Sequence, residues 1–237
     1  MWPDWKVSVL AFVIILEKKS LTSNSGKSSL VMTIFRMLEI SGGSIVIDGL
    51  DISTLPREEI RSRLIGVPQD SFILAGTVRL NVDPKKIARD SEIIEALKSV
   101  QLWDNVKEKG GLDIDIEKVH LSHGQRQLFC LARAMLRPST VLVLDEATSS
   151  VDAKTDELMQ RIIREKFSAH TIIAVAHKLD SILDYDKVAL LHEGRIVEFD
   201  SPYELLSQPK SAFYKLYFSS HQDEEEDFDD NITLAGQ

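Results

Sequence analysis

Apolar residues along the chain follow two patterns, which predict strands and helices in alternation. Continuous apolar runs are typical of strands buried on both faces of a sheet, and they lie at residues 7–16, 63–67, 141–144 and 171–175. Apolar residues at helical spacing predict helices at residues 92–106, 125–136 and 156–167, and another with Leu30, Ile34 and Leu38 on one face. Turn residues between apolar segments predict hairpins at residues 44–52 and 188–199.

Strands that alternate with helices indicate an α/β fold with a mostly parallel sheet. The stretch from about residue 71 to 138 has few strand signals, so we expect it to form an inserted helical lobe. The run at residues 7–16 is well short of the roughly 20 apolar residues that a spanning helix needs. We therefore expect a buried strand there, and no membrane crossing by this chain.

Composition and charge exclude several classes of protein. The 237 residues are 43% hydrophobic, which suits a globular body. The net charge is -9, but seven acidic residues lie within residues 223–230, which leaves -2 on the rest. A near-neutral body argues against binding to nucleic acid, which requires a basic surplus. The single cysteine, Cys130, excludes a disulfide framework and fits a reducing compartment.

The sequence GKSS at residues 26–29 has the composition of a phosphate-binding loop before a helix. Backbone N–H groups there would surround a phosphate, Lys27 would reach the outer phosphates, and the Ser28 hydroxyl would bind Mg²⁺. We expect the site to comprise Ser25, Gly26, Lys27, Ser28 and Ser29. By itself, a Gly-Lys-Ser sequence before a helix also arises by chance.

Two further segments contain residues suited to binding and hydrolysing a nucleotide, which supports a phosphate-binding role for residues 26–29. VLVLDE at residues 141–146 places Asp145 and Glu146 at the end of a buried strand, where α/β sheets bind ligands. Asp145 would hold Mg²⁺ and Glu146 would be the general base for the attacking water; the alternative is two solvated acids. LSHGQRQ at 121–127 offers Ser122 and Gly124 as phosphate donors at a helix start; the alternative is an ordinary serine N-cap.

LSHGQRQ also resembles the signature loop of ATP-binding cassette (ABC) proteins, with His123 in place of the usual glycine. The resemblance extends to other landmarks in the family's order. It implies that Gln69 senses Mg²⁺ and the attacking water, that Asp152 lies at a cassette interface, and that His177 contacts the γ-phosphate. It also implies that Gln125 belongs to the nucleotide site, and that the fold is of the P-loop NTPase type with ATP and Mg²⁺ bound.

Residues 26–218 resemble the second nucleotide-binding domain of fungal C-subfamily, multidrug-resistance-associated exporters. The resemblance implies a cassette at residues 21–218, preceded by an atypical segment (1–20) and followed by a disordered acidic tail (219–237). It implies that two cassettes pair head to tail and that transmembrane domains hold them at the cytoplasmic face of a plasma or vacuolar membrane. Each ATP would then contact one cassette's phosphate loop and the other's signature.

The beginning of the chain departs from the family pattern. Leu21 and Asn24 stand where the family has glycine, and Trp2 and Trp5 are poorly placed to stack on adenine. We therefore expect an incomplete N-terminal β-subdomain. Because everything after Gly26 fits, we expect a truncation or a misjoined exon, which sequencing of the transcript's 5′ end would test.

Three functions follow as hypotheses from these features. The first is an ATPase cassette that powers export through transmembrane domains. The second is a truncated cassette that binds ATP weakly and acts only as an interaction module. The third is a soluble cassette ATPase in translation or DNA repair, against which the near-neutral body and the exporter-like segments count.

Overall fold

The computed structural model describes residues 12–16, 27–148, 150–175 and 179–220. The described residues between 28 and 173 form one compact unit, and residues 12–16, 27 and 174–220 belong to a second. Residues Ser25, Gly26 and His177, and the acidic tail beyond residue 220, lie outside the described part, as do Leu21 and Asn24.

In chain order the elements are β1 (Phe12–Leu16), α1 (Lys27–Ile34), β2 (Val46–Ile47), β3 (Leu50–Asp51), α2 (Arg57–Arg63), β4 (Leu64–Val67), α3 (Val78–Val82), α4 (Asp90–Ser99), α5 (Trp103–Lys109), α6 (His123–Met135), β5 (Val141–Asp145), α7 (Ala153–Lys166), β6 (Thr171–Val175), β7 (Lys187–His192), β8 (Arg195–Asp200), α8 (Pro202–Leu206) and α9 (212–220). Short 3₁₀ helices lie at Ile52–Thr54, Ile116–Val119 and Asp180–Ile182.

The first unit contains parallel strands that confirm the predicted fold class. β4 runs parallel to β5, with Leu64 opposite Val141 and Val67 opposite Leu144, and β6 is the next strand after β5. The β5 side chains from Val141 to Leu144 are all buried. An unbroken apolar run forms such a strand because both of its faces are covered.

In the second unit, β1 runs parallel to β7, and β7 forms an antiparallel hairpin with β8. The predicted hairpin is confirmed: Glu193 and Gly194 both have positive φ angles, 47° and 74°, as a tight primed turn requires. The Asp-Gly hairpin predicted at residues 44–52 is also confirmed, as β2 and β3, with Asp48 at φ 51° and Gly49 at φ 77°.

The prediction of a single helix across residues 92–106 was wrong, because this segment forms two helices. α4 ends at Ser99, Gln101 has a left-handed backbone (φ 58°), and α5 begins at Trp103. Val100 and Leu102 on either side of the break are fully or almost fully buried. The apolar periodicity continues through the turn because both helices cover the same core, so the pattern alone did not reveal the break.

The predicted helical face at Leu38 was also wrong. α1 ends at Ile34, and the Leu38 side chain is exposed. The Arg61 guanidinium donates hydrogen bonds to the carbonyl oxygens of Phe35 (3.0 Å) and Arg36 (3.1 Å). These bonds satisfy carbonyl groups that follow the last helical turn, which allows the chain to leave the helix there.

The stretch from residue 71 to 138 contains helices α3 to α6, and its only strand-like pairing is an isolated bridge between Thr77 and Asp115. Its core side chains, which include Val78, Leu97 and Phe129, are fully buried. The limits of this lobe as a subdomain stay a prediction. Among the described residues, no helix has the length and apolar character needed to cross a bilayer.

Candidate functional site

Asp145 and Glu146 lie where β5 ends, and both side chains are partly buried. Glu146 has a left-handed backbone, with φ 51°. A non-glycine residue in this region costs about 1–3 kcal/mol, and such residues are concentrated at functional sites. The strand is held by parallel pairing on β4, so a buried framework fixes the direction in which the Glu146 side chain leaves the sheet.

Asp145 also lines a cavity of about 830 Å³ between α1, α2 and the sheet. The apolar side chains of Met32 on α1, of Phe35 just after α1 and of Val143 on β5 line the same cavity. Four basic side chains lie on its walls, and three of them bind protein groups. Arg57 donates to the Glu39 carboxylate at 2.6 Å, Arg61 to the Phe35 carbonyl oxygen, and Arg137 to the Arg61 carbonyl oxygen at 3.0 Å. The cavity thus places Asp145 beside space that a ligand could occupy.

Gln69 follows β4 by two residues, and its side chain is exposed. Because β4 and β5 are parallel neighbours, their carboxyl ends lie at the same edge of the sheet. Gln69 therefore lies at the edge where Asp145 and Glu146 lie. The structure brings these three predicted residues together at one edge.

The residues predicted to bind phosphate open helix α1. Lys27 and Ser28 are its first two residues, and Ser29 follows with an exposed side chain. Their backbone N–H groups belong to the first helical turn, and N–H groups there have no hydrogen-bond acceptor within the helix. An anion is favoured at such a terminus.

Ser122 is the N-cap of α6. Its hydroxyl oxygen accepts a hydrogen bond from the Gln125 backbone N–H at 3.2 Å, and the Gln125 side-chain oxygen accepts one from the Ser122 N–H at 2.9 Å. The serine cap considered from the sequence is therefore present as a capping box. Ser122 and His123 remain exposed, and a capping hydroxyl still has its own proton to donate.

Thr155 contacts both Gly124 and Asp152, and it was not among the residues predicted for the site. Its hydroxyl donates to the Asp152 carboxylate at 2.7 Å, and its backbone N–H donates to the same carboxylate at 3.1 Å. Both hydrogen bonds lower the pKa of Asp152 below its usual value, and the bond from the hydroxyl contributes more than the bond from the backbone. The three-residue spacing of an N-cap aspartate and a threonine is the sequence signal that could have revealed this pair.

Gly124 is buried against Thr155. A Cβ atom at Gly124 would lie 3.1 Å from both Cγ2 and Oγ1 of Thr155. Gly124→Val is therefore expected to destabilise the fold by about 1–3 kcal/mol through overpacking, measured by urea unfolding. Gly42→Val is the control, because nothing lies within 4 Å of a Cβ there. Equal losses for the two variants would contradict this contact.

The donor types at the sheet edge suit Mg²⁺, which prefers oxygen ligands and usually takes one or two carboxylates plus phosphate oxygens. At this edge Asp145 offers a carboxylate and Gln69 an amide oxygen, while Ser28 carries a hydroxyl oxygen at the start of α1. Among the described side chains, no group of three or more His, Cys, Asp or Glu could hold a metal by itself. Water and phosphate oxygens are the ligands that usually complete a Mg²⁺ site with one carboxylate.

Known proteins match both the sequence and the fold. The family described as "ABC transporter" matches residues 22–149. The chain is 61% identical over 198 residues to ABC multidrug transporter B of Aspergillus fumigatus, which covers 84% of this chain and 14% of that protein. It is 44% identical over 202 residues to ATP-binding cassette sub-family C member 10 of Mus musculus, covering 84% and 14%.

Among solved structures, a bacterial Atm1-family ABC exporter with ATP bound is similar, with a TM-score of 0.79 and 28% sequence identity. The match covers 90% of this chain and 37% of that chain. The chain thus spans about 14% of the length of the curated relatives that it matches. These matches confirm the predicted resemblance to the C-subfamily and to fungal multidrug transporters, and they show that the chain belongs to the ABC transporter family as a nucleotide-binding cassette.

Proposed function

We propose that this chain is the ATP-hydrolysing cassette of an ABC exporter and couples hydrolysis to transport of a substrate across a membrane. The observation that carries the proposal is the edge formed by Gln69, Asp145 and Glu146 at the ends of paired parallel strands. ABC cassettes bind ATP, and the carboxylate pair supplies what its hydrolysis needs. One carboxylate serves as a ligand for Mg²⁺ and the other as a base for water.

In this proposal each residue has one task. The phosphate loop, Ser25 to Ser29, binds the phosphates, with Lys27 on the outer phosphates and the Ser28 hydroxyl on Mg²⁺. Asp145 and Gln69 would hold the Mg²⁺ ion together with Ser28, and bound Mg²⁺ would supply positive charge beside the phosphates. Glu146 takes the proton of the attacking water, while His177 contacts the γ-phosphate.

The remaining residues serve a second cassette. Ser122, Gly124 and Gln125 would contact ATP held by the partner, and Asp152 would lie at the interface between the two. Exposure of Ser122 and His123 at the start of α6 supports this assignment, because that helix terminus is accessible to a partner. The cassette would bind transmembrane domains at the cytoplasmic face of a plasma or vacuolar membrane.

Leu21 and Asn24 favour a second candidate, a cassette that binds ATP weakly and acts as an interaction module. A residue forced into a glycine-only conformation costs about 1–3 kcal/mol, which corresponds to roughly ten- to a hundredfold in affinity. We therefore expect the double variant Leu21→Gly, Asn24→Gly to bind ATP up to a hundredfold more tightly than the unchanged chain, measured by calorimetry with MgATP.

Leu38→Gly is the matched control, since Leu38 is exposed outside any helix or strand, and its ATP affinity should not change. Tight binding by the unchanged chain would exclude the interaction module. Absence of binding in both the unchanged chain and the double variant would contradict the ATPase proposal.

A further inference from the structure

We propose that Gln127 is a positioning residue that fixes the backbone at Gln69 and so sets the Mg²⁺ dependence of ATP hydrolysis. This inference rests on the proposed function. Gln127 lies in the same sequence motif as Ser122 and Gln125 but was not among the predicted site residues. Its side chain is 1% exposed, so it acts inside the protein and touches neither nucleotide nor partner.

The Gln127 side chain reaches the segment that follows β4. Its Nε2 donates hydrogen bonds to the carbonyl oxygens of Gln69 and, at 3.4 Å, of Pro68. The Gln69 side chain is itself exposed. Its position at the sheet edge therefore depends on the backbone from which it projects, and Gln127 holds that backbone.

The orientation of the Gln127 amide is determined by these two carbonyl groups. The other amide atom, Oε1, is buried and has no hydrogen-bond partner among the described residues. Turning the amide would direct Oε1 at two carbonyl oxygens, which repel it, so Nε2 must face them. A buried acceptor without a partner is unfavourable, and a purely apolar side chain of the same size would avoid this cost. Glutamine at this position is thus explained by its donor and not by packing.

We define the Q-loop segment as residues 68–74. Helix α6 contacts this segment through a second side chain as well. Arg133, also on α6, donates from Nη2 to the Phe72 carbonyl oxygen at 3.0 Å. The buried Asn81 of α3 accepts from the Leu74 N–H at 2.7 Å and donates to its carbonyl oxygen at 2.9 Å. The Q-loop segment is therefore tied to the helices at both of its ends.

α6 also begins at the signature residues. Ser122 precedes Gln127 by five positions, which is about 7.5 Å along a helix axis. Since an α-helix moves as a stiff element over that distance, a shift of the α6 N-terminus moves Nε2 of Gln127 with it. Contact of Ser122 and His123 with a partner cassette would thereby reach Gln69, the residue assigned to Mg²⁺ and water.

Gln127→Met tests the inference because it keeps a similar volume and removes the donor. ¹⁵N relaxation should give order parameters near 0.85 for Gln69 and Asp70 in the unchanged chain and below about 0.6 in the variant. The Mg²⁺ concentration for half-maximal ATP hydrolysis should rise about tenfold, the equivalent of one net hydrogen bond. The KM for ATP should stay within a few fold.

Gln160→Met on α7 is the matched control, and it should alter neither readout. Unchanged order parameters at Gln69, or a loss of order throughout α6, would overturn the inference. If the unchanged chain failed to hydrolyse MgATP, the proposed function would fail. Increased mobility confined to the Q-loop segment in Gln127→Met would still support the positioning role.

Discussion

Glu146→Gln is expected to lower the rate of ATP hydrolysis by about 10²- to 10⁴-fold, the usual contribution of a general base. The substitution retains the size and shape of the side chain and removes its ability to take a proton. ATP affinity should stay within a few fold, because the phosphate contacts proposed for residues 25–29 are unaffected. Hydrolysis is measured at saturating MgATP, and affinity is measured separately with a fluorescent nucleotide.

Glu193→Gln provides a matched control for this prediction. Glu193 is also a glutamate with a left-handed backbone, at φ 47°, but it lies exposed in the turn between β7 and β8. The comparison separates the chemistry at Glu146 from any effect of the substitution on a strained backbone position. If Glu146→Gln hydrolysed ATP as fast as Glu193→Gln, Glu146 would not be the general base.

Lys27→Ala is expected to abolish measurable ATP binding. Lys27 begins α1, where the helix terminus favours an anion, and its ammonium group would bind the outer phosphates. Hydrogen bonds to charged groups are among the stronger ones, so loss of this contact should weaken binding by at least a hundredfold. Calorimetric titration with ATP, with and without Mg²⁺, measures the effect.

Lys98→Ala is the control for the loss of one positive charge. Lys98 is an exposed residue in the last turn of α4, and its removal should leave ATP affinity unchanged. Both variants should unfold at the same urea concentration as the unchanged chain. Retained ATP binding in Lys27→Ala would show that GKSS is only a chance sequence before a helix.

The apolar patterns predicted elements that contribute many side chains to the core. β5 and β6 were predicted to within a few residues from unbroken apolar runs, and α6 and α7 from apolar positions at helical spacing. α2, α3 and α8 were not predicted. Each is only five to seven residues long, and a helix of that length has too few turns to establish a period.

The sequence alone determined which residues have the chemistry for a nucleotide site, because a phosphate loop, a carboxylate pair and a serine cap are each formed by neighbours in the chain. It also determined the family, through the order of these motifs. Only the tertiary structure decided how they are joined. Gly124 meets Thr155 across two helices, and Gln127 holds the backbone of a residue 58 positions away. Such contacts depend on how distant elements pack, which no local spacing records.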